Sequence, residues 1–358
     1  MGMHVPDGFL DASTSIATGA VAAGAIGLSL QRSRRELEES GTPLAGLVAV
    51  FVFAVQMVNF PVGAGTSGHL LGGALAAVLV GPWTAVLCLS VVLVVQALVF
   101  ADGGLTALGT NITLMGVVTA VVGYLVVRAA LWVLPRRPAS VVPAAAVGAF
   151  LSVPASALVF VGLYAVGGTV PVPLGELAAA MIGWHLLIGA GEAVITAAVV
   201  GAVVATRPDL VHVVRHLRPA LVVVDAEGAE RTVRADPARN GSTPSRPLAV
   251  GAAVSMVAAG VLSLVASGHP DGLEFVGERL GFAAAGEDSA VADSPFADYG
   301  VRGVESLLST GAAGVLGIAV VAAVAAVLLT VARRLGRTGR AGEGSQDSAS
   351  EPPTTRVG

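Results

Sequence analysis

The sequence predicts an all-α, polytopic integral membrane bundle of about seven spans, followed by a two-span C-terminal module, with the N-terminus outside. Three observations predict it. Of 358 residues, 54% are hydrophobic and only 12% are charged, where soluble domains carry about 25% charged residues. The mean hydropathy is +0.82, and the apolar residues gather into runs of helical-span length. Aromatic residues are few and glycines number 46, so helices can approach one another through small side chains.

Taken in order, the apolar runs place spans at 14–30, 44–60, 68–81, 84–100, 112–133, 139–166 and 177–205, and two more at 248–267 and 303–332. The run from His69 to Ala101 admits one long helix or two. Gly81-Pro82-Trp83 interrupts it, and proline disfavours helical geometry in the residue before it. Cytoplasmic loops are enriched in arginine. Arg32, Arg34 and Arg35 follow the first span and Arg136 and Arg137 follow the 112–133 span; both clusters share one side only if the run is two helices. Nine spans result, and only Arg279 and Arg302 fall in outer segments.

The third span, about 14 residues, rises roughly 21 Å, short of a hydrocarbon core of about 30 Å. It should begin inside the bundle, at His69 in "GTSGHLLGG". The N-terminal tip lies on the same side, so Met3-His4 can fold toward His69. Four regions follow: a membrane domain over 3–210, a cytoplasmic linker over 211–247, a two-span module over 248–335 and a disordered cytoplasmic tail over 336–358.

Several function classes drop out. The chain has no lysine, all 20 basic residues being arginine. A Walker A loop needs its lysine on the nucleotide phosphates, so no nucleotide is expected to be bound, and Schiff-base chemistry is excluded. Cys88 is alone, so no intrachain disulfide forms. A net charge of -4 gives no sign of nucleic acid as a partner. "GAGTSG" at 63–68 fits G-x-G-x-x-G but joins two membrane spans, with no acid before Asp102. It reads as a glycine-rich turn rather than a dinucleotide site.

The chain opens "MGMHVPDGFLD". An N-terminal amine, a deprotonated amide and an imidazole close fused chelate rings around one metal. With Met3 first, its amine, the His4 amide and the His4 ring give three nitrogens, and His69 supplies a fourth. Four nitrogens in a plane suit Ni(II) or Cu(II). A helix N-terminus at His69 would keep that imidazole neutral. The alternative is a surface His4 and a merely hydrogen-bonded His69. In "MIGWHLLIGAGEAVIT", His185 and Glu192 lie seven residues apart on one helix face. With Ser67 they are candidates for supporting the site or coupling it to transport, though Glu192 also suits an ion relay or a packing contact. His269, Asp271 and Glu274 in "HPDGLE" can hold a metal before delivery, or simply build a turn on Pro270-Asp271-Gly272.

"MHVPDGFLD", "GTSGHLLGG" and "WHLLIGAGEAVIT" resemble the CbiM/NikM family over residues 3–210. These are the substrate-binding membrane components of energy-coupling factor transporters for cobalt and nickel. Residues 248–335, with "PDGLE", resemble the two-span module of CbiN/NikN or PDGLE type. The resemblance implies Met3, His4 and His69 as metal ligands and Co(II) or Ni(II) as cargo. It also implies a separate transmembrane coupling subunit and ATPase subunits, all in a bacterial or archaeal cell (inner) membrane. Met1-Gly2 depart from the family's Met-His start. A Gly-Met-His terminus would offer an amine, two amides and an imidazole, leaving His69 surplus or axial. Two rivals remain: a proton-coupled secondary transporter using Glu192, and a membrane factor of a cofactor pathway.

Overall fold

The computed structural model describes residues 4–63, 65–215, 217, 221–224, 230–233, 245–304 and 306–343. Met3, much of the 211–247 linker and the tail beyond 343 lie outside the described residues. The architecture is helical. Among the described residues, seven helices are long and apolar enough to cross a membrane. They are α1 (Ala12–Ser40), α4 (Pro82–Val99), α5 (Leu108–Val133), α6 (Pro138–Gly167), α7 (Leu174–Thr206), α8 (Arg246–Val265) and α10 (Leu308–Arg334). Two shorter apolar helices, α2 (Thr42–Gln56) and α3 (Gly73–Val80), stand where the second and third spans were expected; neither is among the seven. The one remaining element of consequence is α9 (Gly272–Leu280), amphipathic and outside the apolar runs.

The break at Gly81 is real: α3 stops there and α4 starts at Pro82. Glu36 of α1 accepts hydrogen bonds from the amides of Trp83 (3.3 Å) and Thr84 (2.7 Å). A carboxylate from a neighbouring helix thus caps α4, supplying the partners that its first amides lack.

Three boundaries differ from the sequence reading. The second span, expected over 44–60, ends at Gln56, and Phe60–Gly63 is instead a strand, β1. The third, expected over 68–81, shrinks to Gly73–Val80, because β2 (Thr66–Gly68) pairs antiparallel with β1 and the Ser67 amide donates to Pro270 O at 2.8 Å. These amides are committed across strands, and Gly72 at φ +82° starts the helix in a conformation that favours glycine. His69 therefore sits in an extended loop, not at a helix N-terminus. The last helix runs on to Glu343, into the stretch expected as disordered tail.

The bundle has two chemically distinct ends. At one, the Arg32 guanidinium lies 5.0 Å over the Trp83 ring and Arg215 reaches Ser40. At the other gather the N-terminal turn, the hairpin β1–β2, the loop 100–107 and the segment 268–300 between α8 and α10. The C-terminal helices α8 and α10 pack on α2, so both modules share one bundle and present their loops at the same end.

Candidate metal centre

The N-terminal turn is held by its own polar atoms. Asp7 accepts from the amides of Leu105 (3.0 Å) and Thr106 (2.8 Å), and Asn111 at the head of α5 pairs with both backbone groups of Val5. Asp11 caps α1 through the Thr14 amide at 2.8 Å. Val5, Phe9 and Leu10 are buried. Gly8, at φ +86°, makes the turn, and a Cβ there would stand 2.2 Å from Ala285 O. Gly8→Val should therefore undock the turn: the backbone conformation alone costs about 1–2 kcal/mol for a side chain with a Cβ, and the clash adds to it. Thermal melting and metal titration should show a lower Tm and weaker binding, with Gly8→Ala milder than Gly8→Val.

This anchoring buries His4 and brings its ring over His69, with centroids 5.9 Å apart and planes 14° from parallel. The two imidazoles are 65 positions apart in the sequence and meet as the sequence implied. His69 Nδ1 lies 2.9 Å from Leu70 O. A carbonyl only accepts, so Nδ1 carries the proton and the lone pair sits on Nε2, the arrangement typical of metal-binding imidazoles. Burial, with His4 adjacent, pushes the His69 pKa down to about 4. His69 is thus neutral because it is buried, not because of a helix dipole.

His4 is embedded in a polar chain that sequence reasoning missed. Its Nε2 lies 3.2 Å from Gln96 Oε1 and its Nδ1 lies 3.1 Å from Asp102 Oδ1. Gln96 donates to Gln56 (3.0 Å), and Gln56 donates to Leu71 O (3.0 Å), which leads back to the His69 loop. On the other side Tyr299 donates its hydroxyl to Asp102 Oδ2 at 2.6 Å. Burial opposes charge at both His4 and Asp102, yet each favours the other's ion: the His4 pKa is raised and the Asp102 carboxyl is held well below the usual carboxylate range. Gln96, a polar residue inside an apolar span, was the available clue.

The backbone is strained at the same place. Among the described residues, the non-glycine positions with positive φ are Ala101 (54°), Asp298 (54°) and Tyr299 (57°). Ala101 and Asp298 flank the Asp102–Tyr299 contact, and Tyr299 makes it. Such conformations persist where surrounding structure over-determines them, commonly at functional sites.

Of the supporting residues, Glu192 is fully buried and its oxygens accept from Leu71 N (2.8 Å) and Gly72 N (3.0 Å). It holds the segment joining His69 to α3. Ser67 donates to His269 O at 2.7 Å and so pins the C-terminal module to β2. His185 Nδ1 donates to Met181 O at 2.6 Å, and its ring lies under Gly272. The "HPDGLE" residues do not converge: His269 is exposed, while Asp271 is buried and caps α9 through the Glu274 amide at 2.8 Å. Among the described residues, no three His, Cys, Asp or Glu side chains are grouped to hold a metal.

A cavity of about 290 Å³ opens beside His4 between the two modules. Asp7, Asp102, Glu274, Glu278, Glu287, Asp288 and Asp298 line it. An acidic mouth of this kind concentrates cations beside His4.

The chain is similar to known proteins. Residues 4–210 match the family described as CbiM, cobalt uptake substrate-specific transmembrane region, and residues 245–334 match the PDGLE domain. The chain is 40% identical over 220 residues to a putative fused nickel transport protein, NikMN, of Archaeoglobus fulgidus, covering 58% of this chain and 68% of that protein. It is 36% identical over 225 residues to the fused nickel transport protein NikMN of Rhodobacter capsulatus, covering 58% and 63%. The crystal structure of a truncated transition metal transporter is similar at 30% identity and a TM-score of 0.51, covering 57% of this chain and 99% of that one.

Proposed function

Because the chain belongs to the CbiM family of cobalt-uptake transmembrane regions and continues into a PDGLE domain, we propose that it is the metal-binding subunit of an energy-coupling factor importer. It is a multi-pass membrane component of cobalt or nickel transport, not an enzyme, and the metal ion is its cargo. The ligands in this reading are the Met3 amine, the His4 amide nitrogen, the His4 ring and the His69 ring. The observation that carries it is the stacking of buried His69 on buried His4, which itself lines an acidic cavity.

The donor chemistry supports the rest. Two imidazoles alone do not fill a coordination sphere, and among the described residues no three His, Cys, Asp or Glu side chains are grouped to hold a metal; backbone nitrogens of the terminus are the natural complement. A chelate through the His4 amide closes a six-membered ring only through Nδ1. Asp102, which now pairs with Nδ1, must hand it over when the metal arrives. The arginine-rich end faces the cytoplasm in this reading, leaving the metal centre outside. A chain without lysine supplies no phosphate-binding loop, so energy comes from separate ATPase subunits through a transmembrane coupling subunit, in a bacterial or archaeal cell membrane. The rival that uses Glu192 as a proton relay is less favoured, since both its oxygens are held by amides.

The test uses protein purified with its native terminus. Mass spectrometry should find Met3 first, and metal analysis about one Ni(II) or Co(II) per chain. An extension ahead of Met3 converts its amine to an amide and should weaken binding by at least about tenfold, the cost of losing even an outer partner of a metal site. Equal affinity with the amine blocked would remove Met3 from the site. Finding Gly2 first would shift the ligands to the Gly-Met-His set.

A further inference from the structure

A carboxylate of the C-terminal module is docked on the hairpin that leads to His69, with one of its oxygens unused. Asp271 is 1% exposed. Its Oδ1 accepts from the Glu274 amide, but its Oδ2, fully buried, meets no hydrogen-bond partner among the described residues. A buried carboxylate oxygen without a partner costs free energy, and a helix cap requires only one oxygen, which asparagine or serine also supplies.

The position of Asp271 is fixed by the same segment that carries His69. Ser67 pairs with Asp271 in a parallel bridge, the Ser67 amide donates to Pro270 O at 2.8 Å, and His69 follows two residues later. The Asp271 neighbours Leu273 and Glu274 line the cavity that opens on His4.

We propose that Asp271 is a positioning residue of the metal centre: the fused module's own carboxylate, facing the incoming dication and balancing its charge together with Asp102. The inference rests on the ligand reading above and adds to it. A dication entering a low-dielectric pocket brings two positive charges, which must be compensated there. The deprotonated His4 amide of the ligand reading offsets part of that charge, and the buried carboxylates Asp102, beside His4, and Asp271, on the hairpin that leads to His69, supply negative potential around the rest. The role explains why this acid, and not only a turn, occupies the second position of "PDGLE", and why the module is docked on the hairpin next to His69.

The full chain with its native terminus is titrated with Ni(II) alone, in parallel for wild type, His4→Gln, Asp271→Asn and Asp271→Glu. Asparagine keeps the cap and removes the charge. The expected result is Ni(II) affinity lower by roughly 10- to 100-fold in Asp271→Asn, partial recovery in Asp271→Glu, and a metal-free Tm for Asp271→Asn equal to that of wild type. Wild-type affinity in Asp271→Asn would overturn the proposal, as would equal losses in both variants accompanied by equal falls in metal-free Tm, which mark a purely structural cap. If wild type binds and His4→Gln does not, the ligand reading stands whatever Asp271 does. If wild type itself fails to bind, the ligand reading fails first.

Discussion

Replacing either imidazole should abolish high-affinity binding of Ni(II) and Co(II). His4→Gln is the sharper variant, because glutamine can still donate to Asp102 and fill the buried space between Gln96 and Asp102, while it offers the metal no imidazole. His69→Ala removes the ring whose Nδ1 proton is already committed to Leu70 O. Loss of a direct ligand should weaken binding by about 100-fold or more, since losing a mere outer partner costs about 10- to 100-fold. His269→Ala is the control: that histidine is exposed and outside the pocket, and its loss should leave affinity unchanged. Isothermal titration and metal counting on purified protein decide the matter. Wild-type stoichiometry and affinity in either pocket variant would sink the ligand assignment.

How much of this was legible in the sequence follows a physical divide. Features set by local chemistry were readable: apolar runs for the helices, Gly81-Pro82 for the break between α3 and α4, arginine clusters for one end of the bundle. The pairing of His4 with His69 was readable too, because the sequence placed both on the same side of the membrane. What escaped depends on contacts between distant segments. His69 sits in a loop rather than at a helix start because β2 is held by β1 on one side and by Pro270 on the other. A pairing of residue 67 with residue 270 leaves no mark on local hydropathy. Asp102 and Tyr299 escaped for the same reason, being ordinary loop residues until the fold sets them against His4. Glu192 was an expensive intramembrane acid whose expense signalled importance, but not which backbone amides it would hold.

Glu192 yields the second large effect, and it separates two accounts of the protein. Its carboxylate takes the amides of Leu71 and Gly72, at 2.8 and 3.0 Å, at the point where the His69 loop enters α3. Those amides belong to the positive end of a short, fully buried helix. Glu192→Ala would leave both unpaired, at about 1–3 kcal/mol each, and would release the backbone that aims His69. Equilibrium affinity for Ni(II) should then fall by about 10- to 100-fold although both imidazoles remain. Glu192→Gln should fall between, because one amide oxygen still accepts while the NH2 group opposes a backbone N–H. A proton relay predicts the reverse pattern, in which glutamine preserves binding in the purified protein and stops only transport. The measurement is a metal titration in detergent, where no transport takes place. If Glu192→Ala binds Ni(II) as wild type does, the carboxylate does not position His69, and its burial must serve transport instead.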